Sequence, residues 1–443
     1  MSKNKILILT INHIWYDTRV YYKIVRSLLK KDVQIKLLTG NQYNNLPPPL
    51  RHCEVPHLKI PPKQSSGGGN NDFQYQIVPK RFRKIGMLAY YLYQGFRYKP
   101  DIVICIEPLS LLSGYVLKKI LKCRYVYDNH EFYTEAFFDK LREHAFGKIS
   151  AKLFSKLYWC FESYFAKKAD AIITVNQILL EKYKTINQNV YLCANYLNRE
   201  FFLYSDSAPP HVVPELASVL AEGEGGTRSA PPMKYEWGGE GGENNNSELR
   251  TPNSELLKIV YVGSLAFERG LKIYLKTAKL FKENDKNYTF LIIGNFKNKS
   301  TELYFFDYIK NHKLQNHIIY KPYMPNEKAL LEIRNSNIGV FLGDVEQCQK
   351  YHKTTNMKVF EYYSQSIPVI VNRLNDLSKL INKSKGGWII DFDSRALYIL
   401  ADKILNDDDL LKKKGNNGYK YTLENFVWEM QENELYSAVF GYL

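Results

Sequence analysis

Two stretches of this chain repeat one grammar: a short apolar run, a loop, then a segment with apolar residues at helical spacing. Strands that alternate with helices in this way run parallel, since each helix must carry the chain back across the sheet, and helices then cover both sheet faces. The first stretch opens with KILILTI and a helix expected over 19–31. It continues through VQIKLLT, DIVICIE, RYVYDNHE, a long helix near 146–168, DAIITV, a helix over 177–184 and VYLCAN. The second opens with LKIVYVGSL and a helix over 270–283, followed by YTFLIIG and a helix near 301–312. IIYKPY, a helix over 326–335, IGVFLG, a helix over 357–364 and PVIV complete it. The expected fold class is α/β, with two Rossmann-like domains whose strand ends, and therefore ligand loops, face each other across a cleft.

Between the two stretches the character changes. Residues 203–256 hold APPHVVPE, AEGEGG, APPMKYEWGGEGGENNN and a repeated Asn-Ser-Glu-Leu, with nine acidic residues against three basic ones. Runs of Gly, Pro and Asn bury too little apolar surface to fold, so a linker or insertion is expected there. PPKQSSGGGNND over 61–72 reads the same way. The expected division is 1–202 and 257–424 for the two domains, with the insertion between them.

The net charge is +16, so the chain outside 203–256 carries +22. No helix-turn-helix, zinc finger or aromatic binding sheet accompanies that charge, which argues against nucleic acid. Phosphorylated substrates or an anionic membrane face suit it instead. No apolar run approaches a membrane span, and the six apolar residues near the start read as a strand, not a signal peptide. A cytoplasmic protein is expected. The six cysteines (Cys53, Cys105, Cys123, Cys160, Cys193, Cys348) show no C-x-x-C spacing and read as thiols rather than disulfides or zinc ligands.

Chemistry is sought in the loops after strands. In GSLAFERGL, Gly263 follows a strand and Arg269 precedes a helix, where backbone donors and a guanidinium suit a phosphate. The spacing of Gly263 and Gly270 is neither a G-x-G-x-x-G fingerprint nor a P-loop. A surface arginine at a helix start is the plainer reading. In HKTTNMKVFEYY, Thr354, Thr355 and Asn356 stand where an N-cap belongs, and Lys358 falls in the first turn. A cation there opposes the helix dipole unless an anion lies nearby. A bound diphosphate would supply one, and Glu361 could accept from ribose hydroxyls. A plain i,i+3 pair between Lys358 and Glu361 is the competing reading. In the first domain, Asp17 and Thr18 can cap the helix that Arg19 opens, and YVYDNHEFYTE crowds Asp128, His130, Glu131 and Glu135 at a strand end. A histidine among carboxylates in a cleft suits the polarisation of a hydroxyl, and the spacing is not that of a metal site.

YDTRVYYKIVRSLLKK, YVYDNHEFYTE, ADAIITVNQILLEKY, VYLCANYLN, IVYVGSLAFERGL, NMKVFEYYSQSIPVIV and the terminal W-E-x-Q-E, in this order, resemble family 4 glycosyltransferases. The resemblance covers nearly the whole chain except 61–72 and 203–256. It implies the GT-B architecture and retaining, metal-independent transfer with no cofactor. The substrates would be a nucleotide-sugar donor and a glycan or lipid-linked acceptor, in cell-surface polysaccharide biosynthesis. It implies that Arg269 and Lys358 neutralise the donor diphosphate, that Glu361 contacts the ribose, and that His130 lies near the reacting sugar. Gly263, Tyr323 and Asn356 would complete the donor site, with Tyr323 in the loop whose backbone meets the base. Asp17, Arg19, Asp128 and Glu131 stand on the acceptor side, and 425–443 would be a helix crossing back to the first domain. Two positions depart from the pattern: Lys353 replaces the first glutamate of E-x7-E, and Ser264 stands where many members have arginine. A nucleotide-sugar epimerase of the same fold and a non-catalytic scaffold are the alternatives. Mixed Lys/Arg and aromatic residues in PKRFRKIGMLAYYLYQGFRYK and GKISAKLFSKLYWCFESYFAKKA further suggest peripheral contact with an anionic membrane at the inner face of the plasma membrane.

Overall fold

The computed structural model describes residues 3–13, 15, 17–40, 72–79, 85–135, 137, 148–202, 257–346 and 357–441. Most of the 61–72 insert, all of 203–256, and Cys53, Cys348, Lys353, Thr354, Thr355 and Asn356 lie outside these residues. Among the described residues the strands form two sheets. The first contains β1 (Asn4–Thr10), β2 (Val33–Thr39), β3 (Phe73–Ile77), β4 (Ile102–Ile106), β5 (Arg124–Asn129), β6 (Ala171–Thr174) and β7 (Val190–Leu192). The second contains β8 (Leu257–Val262), β9 (Tyr288–Ile293), β10 (Ile318–Lys321), β11 (Ile338–Phe341), β12 (Val369–Asn372) and β13 (Gly387–Ile390). Every ladder is parallel. The orders are β3-β2-β1-β4-β5-β6-β7 and β10-β9-β8-β11-β12-β13. Both are doubly wound sheets, as the alternation of strands and helices predicts.

Each order reverses once, between β1 and β4 in the first sheet and between β8 and β11 in the second. At such a switch point the helices leave toward opposite faces, and a crevice opens beyond the strand carboxyl ends. The central strands explain why the sheets sit inside: β4 and β9 are buried at every residue. Buried clusters on both faces of the first sheet, one around Ile8, Ile24 and Ile104 and one around Leu9, Tyr91 and Leu117, account for its helices.

Several elements differ from the sequence reading, three of them near the site or its supports. The helix expected over 19–31 begins as a π-helix, Val20–Val25, and closes as a single α-turn, Arg26–Leu28. Asp17 starts it, since its Oδ1 accepts the N–H groups of Arg19 at 2.8 Å and Val20 at 3.1 Å. Arg19, just before the π-helix, and Lys23 within it are both buried. The C-terminal stretch is two helices, Asp408–Asn425 and Glu432–Phe440. Between them Val427 pairs with Leu197, and a 3₁₀ turn, Trp428–Gln431, redirects the chain onto the first sheet. There Trp428, Leu435, Ala438 and Val439 join the first-sheet core. Finally, β3 escaped the sequence reading because FQYQI is an edge strand whose residues are only half buried.

Candidate functional site

On the second domain, β8 ends at Gly263, which has φ +154°, a conformation open to glycine. A short turn, Phe267–Arg269, and Gly270 at φ +78° then lead into the helix Leu271–Glu283. A side chain at Gly270 would come within 2.8 Å of Leu342, so the loop packs tightly against the end of β11. Arg269 therefore sits at the switch point, between β8 and the first turn of its helix. The helix Met357–Ser364 follows β11 from the other side. Tyr362 pins it there: its hydroxyl accepts the Val262 N–H at 3.1 Å and donates to the Val340 carbonyl at 3.2 Å. One phenol thus ties the helix to the ends of both switch-point strands.

Lys358 and Glu361 lie on that helix and bond to each other. The Lys358 ammonium reaches both Glu361 oxygens, at 2.9 and 2.7 Å. Glu361 is buried and Lys358 half-buried, so this is not a freely solvated pair. The i,i+3 pair of the competing sequence reading is therefore present, on a helix that Tyr362 ties to the end of β8. Tyr323 follows β10 and is 69% exposed, with its N–H donated to Asn295 Oδ1 at 3.3 Å. Gly343 and Asn372 exchange hydrogen bonds of 2.8 and 2.9 Å and fix the ends of β11 and β12 around the same crevice.

On the first domain the structure sorts the named residues into two layers. Arg19 and Asp128 are fully buried and paired, Nε to Oδ2 at 3.0 Å and Nη2 to Oδ1 at 2.5 Å. Burial alone would raise the Asp128 pKa, but the Arg19 charge and its hydrogen bonds hold it far below the usual carboxylate range. Arg19 also donates to the Cys193 carbonyl and stacks over the Trp428 ring, 6.0 Å away. These two residues, read from sequence as acceptor-side, stand behind the site and brace it, because a pair consumed by its own hydrogen bonds presents nothing to a substrate. Asp17, His130 and Glu131 lie in front, Glu131 exposed and His130 only 7% exposed.

Two residues that sequence reasoning missed complete this side. His13, after β1, places Nε2 2.9 Å from His130 Nε2 and Nδ1 3.1 Å from Asp17 Oδ2. Glu107, after β4, is buried at φ +74°. Its carboxylate accepts the N–H groups of Ile11 at 2.5 Å and Asn12 at 3.0 Å, and its Oε1 lies 3.5 Å from His13 Nε2. Burial raises the Glu107 pKa against the pull of His13 and these N–H groups. The only sequence signals were a histidine two residues past a strand and a Glu-Pro at a strand end.

Behind His130, the buried Glu162 of the helix Lys148–Ala166 gathers four donors. It accepts from the hydroxyls of Tyr127 at 2.7 Å, Thr134 at 3.0 Å and Tyr183, and from the Asn129 amide at 3.1 Å. Held from both ends, the loop after β5 has a fixed path. Lys23, on the first domain, is buried. Its buried ammonium donates to the carbonyl and Oδ1 of Asn195, and burial, then Arg19, lowers its pKa to about 7 against the opposing charge of Asp17 and Glu361. Phe360 of the second-domain helix Met357–Ser364 packs on Tyr196 of the first domain. Among the described residues, no group of three or more His, Cys, Asp or Glu has the arrangement to hold a metal ion.

Residues 244–421 match the model of the family described as glycosyl transferases group 1. The second domain is a group 1 glycosyltransferase domain. Solved structures match over the whole chain, and with it the two-domain GT-B fold. A sucrose-phosphate synthase from Thermosynechococcus elongatus matches with a TM-score of 0.63 at 12% identity, over 98% of this chain and 97% of that one. HepE from Anabaena in complex with UDP-glucose matches with 0.63 at 10% identity, over 99% and 100%. A glycosyltransferase from Rickettsia africae matches with 0.61 at 14% identity, over the full length of both. No curated protein sequence matches the chain. At these identities the structural likeness is one of fold, and the family match places Arg269, Lys358 and Glu361 inside the group 1 glycosyltransferase domain.

Proposed function

We propose that this chain transfers a sugar, with retention and without a metal, from a nucleoside-diphosphate sugar to a glycan or lipid-linked acceptor in cell-surface polysaccharide biosynthesis. Residues 257–424 would hold the donor, 1–202 would present the acceptor, and 425–443 would tie the two together. The observation that carries this reading is the placement of Arg269 and the Lys358–Glu361 pair on either side of the β8/β11 switch point of a group 1 glycosyltransferase domain.

The chemistry follows from charge. Breaking a sugar–diphosphate bond leaves negative charge on phosphate and positive character on the sugar. Preorganised donors aimed at that developing charge supply most of the acceleration. Arg269 can fork onto the diphosphate, and the N–H groups opening the helix Leu271–Glu283 add to it. Lys358 is held on Glu361 until a donor arrives. In the proposed complex it turns to the diphosphate, and the freed Glu361 oxygens take the ribose hydroxyls. His130 would stand beside the sugar, with Asp17 and Glu131 toward the acceptor. Gly263, Asn356 and the backbone near Tyr323 would line the phosphates and base. The Anabaena structure makes UDP-glucose the first donor to test.

Product analysis with a labelled donor separates the rival activities. A transferase yields glycoside and free nucleoside diphosphate. An epimerase of the same fold yields isomerised donor, and that product would refute the proposal.

Membrane contact at the inner face of the plasma membrane belongs to the same reading. No helix among the described residues is long and apolar enough to cross a membrane. The helix Lys148–Ala166 exposes Leu153, Phe154, Leu157 and Tyr164 together with Lys152 and Lys156, as interfacial helices do. The other sequence candidate, now the helix Ile85–Tyr98, turns Met87, Tyr90 and Tyr91 into the core instead. The chain is expected to cosediment with anionic vesicles, and Leu153→Ser with Leu157→Ser to abolish this. Unchanged binding by the double variant would locate the contact elsewhere.

A further inference from the structure

We propose that His13 and His130 hold one proton between their Nε2 atoms and form a single cationic unit on the acceptor side of the cleft, with His13 positioning His130. The unit's use in catalysis rests on the transferase reading, but its existence does not.

The two Nε2 atoms lie 2.9 Å apart, with rings at 64°. Two bare nitrogens at that separation would set lone pair against lone pair, and two N–H groups would collide. One proton between them satisfies both. The remaining nitrogens face carboxylates. His13 Nδ1 lies 3.1 Å from Asp17 Oδ2, and Asp17 is ionised: burial opposes this, but His13 and the Val20 and Arg19 N–H groups bring its pKa to about 2. An ionised carboxylate only accepts, so His13 Nδ1 carries a hydrogen. His130 Nδ1 is buried and 3.4 Å from Asp128 Oδ2, outside hydrogen-bond geometry. A bare lone pair there would add negative potential beside the Asp128 carboxylate, whereas a hydrogen offsets it, so a hydrogen is favoured at that nitrogen too. Three hydrogens on four nitrogens make the pair a monocation.

Its surroundings favour that charge. Asp17, Glu107 and Glu131 act on His13, and together they raise its pKa against the opposing effect of burial. Asp128, Arg19 and Tyr133 surround His130, the Tyr133 hydroxyl lying 3.3 Å from Nε2. The carboxylates outnumber the one guanidinium. The backbone holds His13 in place, since its N–H donates to Thr10 Oγ1 at 3.3 Å and its carbonyl accepts from the Thr39 hydroxyl. The sign is then fixed. A raised histidine pKa contributes stability that is fully present below the unfolded value of about 6.5 and is lost as pH rises through the folded one. If the cation serves transfer, activity falls over the same rise.

The test uses the full chain labelled with ¹⁵N-histidine. Proton-detected nitrogen spectra should show both Nδ1 atoms protonated and one hydrogen shared by the Nε2 atoms. In His13→Gln, whose amide fills the space but does not titrate, the shared hydrogen should be lost and the high-pH limb of kcat/KM should move to lower pH. Separate hydrogens on two neutral rings, or a pH profile that His13→Gln leaves in place, overturns the proposal. The wild-type spectra decide it even if that variant does not fold. A shared proton in a chain that transfers no sugar would uphold the pair and count against the transferase reading instead.

Discussion

Replacing Arg269 with glutamine is expected to lower turnover by about 10²–10³-fold, the scale on which a single preorganised donor to a developing oxyanion acts. Lys358→Gln should have an effect of the same order, for a related reason with one difference. Arg269 stands at the opening of a helix whose N–H groups remain when it is lost. Lys358 is bonded to the buried Glu361, so its removal also leaves a carboxylate without its cation. Lys358→Gln should therefore lose some thermal stability as well as turnover. Steady-state kinetics beside thermal melts for the two variants check both halves. Near-normal turnover in Arg269→Gln would remove it from the donor site.

Trp428→Ala is expected to be the most destabilising single change considered for this chain. Trp428 is fully buried, its indole N–H donates to Ser27 Oγ at 2.8 Å, and its backbone N–H donates to the Leu197 carbonyl at 2.8 Å. Removing such a side chain costs about 3–5 kcal/mol through lost burial and the cavity left behind. The neighbouring contacts make the position more than a packing site. Arg19 lies over the indole, and Glu429 accepts the Arg199 N–H with both oxygens at 3.0 Å. Ser27 is also bonded to Glu432, at 2.7 Å. Losing the indole should loosen the terminal helix from the first sheet and disturb the brace behind His130 and Asp17. The melting temperature should fall by about 6–20 °C, at roughly 2–4 °C per kcal/mol for a domain of this size. Tyr436→Phe, which removes one hydrogen bond to the Ser27 carbonyl, should shift it much less. Equal shifts for the two would mean that the indole does not anchor the segment.

The fold was readable because its signal is periodic. Parallel strands buried on both faces must be continuous apolar runs, and KILILTI, DIVICIE and YTFLII are such runs. The donor-side candidates were readable because glycine loops and charged residues at helix starts violate the surrounding apolar pattern. What stayed hidden depends on contacts distant in sequence. His13 meets His130 only once β1 and β5 lie on either side of β4, and Glu107 meets Ile11 only across the β1–β4 ladder. Arg19 and Asp128 looked like substrate contacts because charge at a strand end usually is exposed, and nothing local announces a partner 109 residues away. The break at Val427 was hidden for the same reason. Leu411, Tyr419 and Thr422 before it and Leu435, Ala438 and Val439 after it keep a helical rhythm, while the turn itself answers to Leu197.

The central claim is that the second domain binds a nucleoside-diphosphate sugar through Arg269, Lys358 and Glu361. Thermal melting with and without UDP-glucose and a panel of other nucleotide sugars tests it most directly. Ligand at about a hundred times its dissociation constant adds roughly 2.7 kcal/mol to the stability of the site that binds it. The account predicts a clear rise in melting temperature with at least one member of the panel, greatly reduced in Arg269→Gln and in Lys358→Gln. No shift with any nucleotide sugar or nucleoside diphosphate would contradict it and leave the chain a scaffold with a transferase fold.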